Sequence, residues 1–241
     1  MKPVEVVYEG KYAIEIHFDE DASDPCKEYD NFGKMVCFHS KYTLGHEQPK
    51  SLGKWLSSKL HQEGLSRTTD AYYDYESDLE YDSTDAIKEA WKMLEGYIVS
   101  LPLYLYDHSG LRISTGPISC PWDSGQVGFV YADKKKILAE FGGKNLTKGN
   151  IDKAVKLMEA EVDTYDKYLS GSVYGYIVKG LAGFPQYCEE NDYDADDQSA
   201  MDDYLKDEAP EIDSCWGYYG YDKQSGLMES ALDAIKCAKG K

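Results

Sequence analysis

Cys120 stands in the stretch CPWDSG, Cys120 to Gly125, which holds the residue types of thiol chemistry. A nucleophilic cysteine needs a base to take its proton and a third group to orient that base. His108, in the turn YDHSG, or His39 could bring the base from another strand, with Asp123 as orienter. That constellation would make a small hydrolase or transferase. Against it, no helix start follows Cys120 to favour a thiolate. Pro121 and Gly125 predict a tight loop with Trp122 as its packing anchor. Ser124-Gly125 lacks the leading glycine of a nucleophile elbow. His108 could also work with Asp107, but polar turn residues more often cap their own backbone.

Metal and cofactor chemistry is weaker still. Cys26, Cys37, Cys120, Cys188, Cys215 and Cys237 are spread along the chain without a CxxC pair, which predicts reduced thiols. Cys37-Phe38-His39 would put a thiol and an imidazole on one face of a strand, two ligands short of a metal site. Asp192, Asp194 and Asp196, with Asp203 at the twelfth position, resemble a calcium loop. Its sixth position, where the sharp turn calls for glycine, is Asp197. No phosphate loop, HExxH or GxGxxG is present. No cofactor and no metal are expected.

What the chain does state is charge. It has 241 residues with 44 acids against 26 bases, a formal charge of -18. Sequence-tolerant nucleic-acid binding and docking on an anionic membrane both require the opposite sign. No apolar run reaches the roughly 18–20 residues of a membrane span, and no signal-peptide pattern opens the chain. Hydrophobic residues at 42% are enough for a core. The acids are concentrated. Asp70 to Asp85 holds seven and no base, and Glu189 to Glu211 holds eleven with Lys206 alone in opposition.

Tyrosine runs through both tracts, and tyrosine supplies stiff, amphipathic contact area. The first tract alternates Asp74, Glu76, Asp78, Glu80 and Asp82, interleaved with Tyr75 and Tyr81. In an extended strand those carboxylates share one face about 6.6–6.8 Å apart, comparable with successive phosphates of a nucleic-acid strand. In a helix they would scatter. The second tract offers Glu189, Glu190, Asp192, Tyr193, Asp194, Asp196, Asp197, Asp202, Asp203 and Tyr204. Both sets are candidate partner-binding residues.

Periodicity predicts the elements that would carry these groups. Val4–Val7 and Tyr12–Phe18 read as a hairpin, the second strand alternating Ile14 and Ile16 against Glu15 and His17. Strands follow at Lys34–His39, Leu101–Tyr106, Leu111–Thr115, Gln126–Tyr131, Val173–Val178 and Asp213–Tyr219. Helices are predicted over Ser51–Gln62, from a Thr84 cap through Ile98, after Asp133, over Asn150–Leu169 and after Ser225. Hairpins mixed with helices, without regular βαβ alternation, define an α+β fold: a mainly antiparallel sheet with several packed helices. The expectation is a single α+β domain across residues 1–241, with long acidic insertions at about 61–85 and 180–211.

The segments YDNFGKMVCFH (Tyr29 to His39), LPLYLYDHSG (Leu101 to Gly110), SCPWDSGQVGFVY (Ser119 to Tyr131), EVDTYDKYLSGSVYGY (Glu161 to Tyr176) and DSCWGYYG (Asp213 to Gly220) resemble a family of uncharacterised proteins of tailed phages and prophages. The connections Lys50 to Leu94 and Lys179 to Ile212 extend that pattern, and they hold the acidic tracts. The resemblance carries no established activity or catalytic residues. It implies a virus-encoded protein in the cytoplasm of a bacterial host. With the charge, it gives the expected function: a phage-encoded, acidic, tyrosine-rich inhibitor that occupies a basic surface of a host defence protein or nuclease, as a nucleic-acid mimic. The expected partner is that protein, with no direct nucleic-acid or membrane contact. The Cys120 hydrolase or transferase is the alternative.

Overall fold

Gly10, at φ +63, turns the chain between β1 (Glu5–Glu9) and β2 (Tyr12–Phe18) in the computed structural model, which describes residues 2–65, 77–120 and 122–239. The α+β class stands, with antiparallel pairing throughout the named strands among the described residues. The sheet is divided, however. The chain forms two compact units where periodicity suggested one domain: unit 1 is Met1–Ser23 with Gly171–Lys241, and unit 2 is Asp24–Ser170. Unit 1 holds 21 acids against 8 bases, so it carries -13 of the total charge.

Unit 2 is a three-layer sandwich. Its sheet runs β3 (Lys34–Cys37), β6 (Ser124–Asp133), β4 (Ile98–Asp107), β5 (Leu111–Ser114). Strand alternation sends Met35, Cys37, Val130 and Ala132 to one face, where α5 (Lys148–Leu169) packs Met158, Val162 and Tyr165. Val36, Phe129 and Tyr131 go to the other, against Trp55 and Leu56 of α2 (Leu52–Gln62) and Ala90 and Leu94 of α3 (Thr84–Leu94). Two shorter helices complete the unit, α1 (Pro25–Glu28) and α4 (Lys134–Phe141). Ser83 holds the cap position of helix α3, one residue before the predicted cap, and the helix ends at Leu94, because Ile98 already opens β4.

Polar side chains of α5 tie the edge strand β5 and the segment before β3 to this frame. Asp166, buried, takes a two-pronged grip from Arg112 (2.7–2.9 Å) and accepts the Ile113 N–H at 2.8 Å. Glu161 accepts from the backbone N–H groups of Phe32 and Gly33. His46 Nδ1 accepts the Met35 N–H at 2.9 Å. Burial, helped by the Lys34 charge, holds His46 below the ordinary histidine range.

The described end of the first acidic tract is helical, over 77–80, and not the extended strand that alternation allowed. Leu79 decides this. It is fully buried among Trp55, Leu56 and Leu94, and a helical turn lets it enter while its neighbours stay outside. Asp82 follows in the left-handed region (φ 54), and its Oδ1 accepts the Gly53 N–H at 2.7 Å near the start of α2. A side chain on Gly53 would strike the Leu79 carbonyl at 1.6 Å, so only glycine admits this approach.

Unit 1 has the sheet order β1, β2, β7 (Val173–Gly180), β8 (Glu211–Tyr219). One face buries Ile14, Ile16, Tyr174, Tyr176 and Val178 against Leu227, Ala231 and Ile235 of α8 (Leu227–Lys239). Between β7 and β8 the second acidic tract is a helical hairpin, α6 (Phe184–Asn191) and α7 (Gln198–Asp207). Phe184, Cys188, Ala200 and Tyr204 give that hairpin a small core of its own.

Two outcomes follow for unit 2. Leu79→Ala is expected to cost about 2–5 kcal/mol in denaturant unfolding followed at Trp55 and Trp91, while Glu80→Ala on the exposed side stays within about 0.5 kcal/mol. Since the unfolded chain protonates His46 at higher pH than the folded one, stability is full above about pH 6.5 and falls as pH drops through the lowered folded value. His46→Gln, which keeps an acceptor for Met35, should flatten that stretch of the stability–pH curve.

Candidate functional site

On its second face the unit 1 sheet is polar. Glu15 and His17 of β2 lie opposite Ile177 and Gly175 of β7 in register, and Lys179 follows Ile177 on the same side. Glu15 and His17 are 5% and 4% exposed, although the alternation of β2 reads as an apolar face and a solvated one. Glu15 Oε2 holds two partners, Lys179 Nζ at 3.0 Å and His17 Nε2 at 3.2 Å. Lys179 also donates to the Leu205 carbonyl of α7. His17 Nδ1 is covered and has no hydrogen-bond partner among the described residues.

These three side chains lie along a cleft of about 810 Å³. Its walls come from the chain leading into β1 (Lys2, Val4, Glu5), from α7 (Asp202, Asp203, Lys206) and from Trp216 of β8. The indole sits against Gly175, where an added Cβ would come within 2.2 Å of it, and stands 6.2 Å from the His17 ring. A concave site of this size with a few converging polar groups is the usual form of a binding pocket.

The sequence-derived candidates fall out differently. Asp74, Tyr75 and Glu76 lie outside the described residues. Asp78, Glu80 and Tyr81 are exposed, and Asp82 is engaged with α2. In the second tract Glu189, Glu190, Asp192, Tyr193, Asp194, Asp196, Asp202 and Asp203 are all exposed. Asp197 caps α7, accepting from Ser199 N at 2.8 Å and Ala200 N at 3.4 Å. Tyr204 is not a surface anchor: it is 4% exposed and holds the hairpin core against Phe184 and Tyr187. Tyr193, stacked on Tyr187, is the outward tyrosine of the tract. The calcium-loop spacing is broken by two helix ends, with Asp192 in the left-handed C-cap of α6 and Asp197 starting α7. Among the described residues no three His, Cys, Asp or Glu side chains gather as a metal site.

Around Cys120 the thiol donates to Asp123 Oδ2 at 3.4 Å, so the proposed orienter meets the sulfur directly. His108 Nδ1 is bonded to Ser109 Oγ at 2.9 Å, and His39 Nδ1 accepts the N–H groups of Lys41 and Tyr42. Each Nδ1 is held within its own turn, and the thiol's partner is the carboxylate. Trp122 is 92% exposed, so it is not the packing anchor expected of that loop.

Comparison of the chain with family models, with curated proteins and with solved structures gives no match.

The Glu15–His17–Lys179 cluster escaped the sequence because a polar face on a strand predicts solvent. The one available signal was a His two residues from a Glu in a strand that must be central, paired on both edges. Its energetics are testable. Glu15→Ala should cost about 1–3 kcal/mol by leaving the partly buried Lys179 ammonium without its carboxylate. The double change Glu15→Leu with Lys179→Met should cost clearly less than Glu15→Ala alone. An additive double mutant would mean the two charges do not depend on each other.

Proposed function

We propose that the chain is a binding protein that docks the acidic face of unit 1 on a basic surface of another protein, in the place a nucleic acid would take. The observation that carries this reading is the α6–α7 hairpin. Its acids stand exposed on two helices with a core of their own, so the tract is a shaped surface. An acid-rich tail without aromatics would stay disordered. Tyr193, stacked on Tyr187, adds outward apolar area within the same acidic hairpin. Complementary charge speeds encounter and excludes wrong partners, while the aromatic contact slows release. The resemblance to phage proteins supports a defence protein or nuclease of a bacterial host as the partner, with inhibition by occupancy. The first tract contributes Asp78, Glu80 and Tyr81 as a second exposed patch within unit 2.

The test is capture from bacterial lysate with the whole chain as bait, followed by association kinetics against salt for the captured partner. Changing Glu189, Glu190, Asp194 and Asp196 to Gln or Asn should slow association about tenfold at low salt and flatten the salt dependence. Far-ultraviolet circular dichroism should stay that of the parent. A folded variant whose association curve overlays the parent's removes the hairpin from the interface.

A further inference from the structure

We propose that the unit 1 cleft is a receptor for a guanidinium group, an arginine side chain of the basic partner or a free alkylguanidine. The inference rests on the acidic-docking reading and names the chemistry that one part of the partner must bring. It starts from the orphaned atom. His17 Nε2 is bonded to the Glu15 carboxylate, which in the neutral ring makes Nδ1 an acceptor, and that acceptor has no donor among the described residues. A buried polar atom in that state destabilises the fold until a donor reaches it.

The rest of the cleft calls for the same kind of donor. Glu5, Asp202 and Asp203 bring acceptor carboxylates to its rim. Trp216, 45% exposed, presents an indole face beside His17. A guanidinium is planar, carries five N–H donors and no acceptor, and stacks on aromatic faces. A lysine ammonium supplies the charge without the plane, and a neutral amide or urea supplies the plane without the charge. The cations of the cleft are mostly answered already. Lys179 is held by Glu15 and the Leu205 carbonyl, and Lys206 lies 3.8 Å from Asp207, which leaves Lys2. About 810 Å³ holds an arginine side chain together with its flanking backbone.

Access to Nδ1 needs one movement, because the atom is covered. Trp216 lies on the edge strand β8 at the register shift between Cys215 and Tyr218, and it is half-exposed, so its side-chain torsions can turn the indole from the imidazole onto an incoming guanidinium while the Gly217 N–H stays bonded to Asp19 at 3.1 Å.

The experiment titrates the whole chain with three blocked tripeptides, Gly-Arg-Gly, Gly-Lys-Gly and Gly-citrulline-Gly, and with agmatine. Binding is read from the Trp216 contribution to fluorescence, taken as parent minus Trp216→Leu, and from the ¹⁵N resonance of His17 Nδ1. The arginine peptide should bind at least about tenfold more tightly than the other two and move the His17 resonance. Asp202→Asn with Asp203→Asn, two exposed positions, should weaken it about tenfold with the fold unchanged. A peptide tighter than agmatine assigns the site to a partner segment; agmatine equal to the peptide assigns it to a free alkylguanidine. Equal affinity for all three peptides, or a silent His17, overturns the proposal. Poly-lysine serves as the control on the broader reading. If poly-lysine binds with salt dependence while the arginine peptide leaves His17 and Trp216 silent, the cleft inference fails and acidic docking stands. If nothing binds, both fail.

Discussion

The ammonium of Lys179 is the group on which unit 1 depends. It stands on β7, reaches the Glu15 carboxylate of β2 and the Leu205 carbonyl of α7, and so ties two strands and the hairpin through one atom. A charge in that position is a strong constraint. Removed from water, it is tolerated only where carboxylate and carbonyl both stay within reach. The hairpin is thereby fixed to the sheet, together with the Tyr204 hydroxyl that donates to the Gly180 carbonyl at 3.4 Å. An apolar contact in the same place would slide more easily, since hydrophobic attraction has no direction.

The same constraint explains why the second sheet face is polar beneath a cleft. An all-apolar face would have collapsed against α7 and closed the space. Glu15 and His17 instead form a buried floor with the partly buried Lys179 beside them, hydrogen-bonded except at His17 Nδ1. Gly175 completes the surface by its lack of a side chain, which lets Trp216 lie flat against the strand. Charge and shape thus come together in unit 1, which also holds most of the excess acid.

Much of the frame was legible in the sequence because periodicity reports burial. The 22-residue helix α5 lies where its Ile151, Val155, Met158, Val162 and Tyr165 stripe puts it, and β7 and β8 pair as read. Thr84 misled because an N-cap side chain is only one way to start a helix; Ser83 takes the cap position without a side-chain bond. The alternating acids up to Asp82 misled in another way. Charge alternation says nothing of backbone shape, whereas a single apolar residue, Leu79, sets it by needing to be buried. Tyr204 shows the limit of reading composition: a tyrosine among acids can serve the core as readily as the surface. The division into two units was hidden because both halves of unit 1 look like ordinary neighbours of unit 2.

That division makes unit 1 a fold closed from two distant pieces. Strand β2 pairs with β7 across some 160 residues, Ile16 with Tyr176. On a ribosome, the N-terminal hairpin emerges long before its partner strand exists, and unit 2 has its full sequence in between. Closing that span costs more entropy than a local hairpin, although the cost grows only slowly with loop length, and contacts so distant in sequence form late. The order of synthesis places the acidic cleft among the last features of the molecule to take shape.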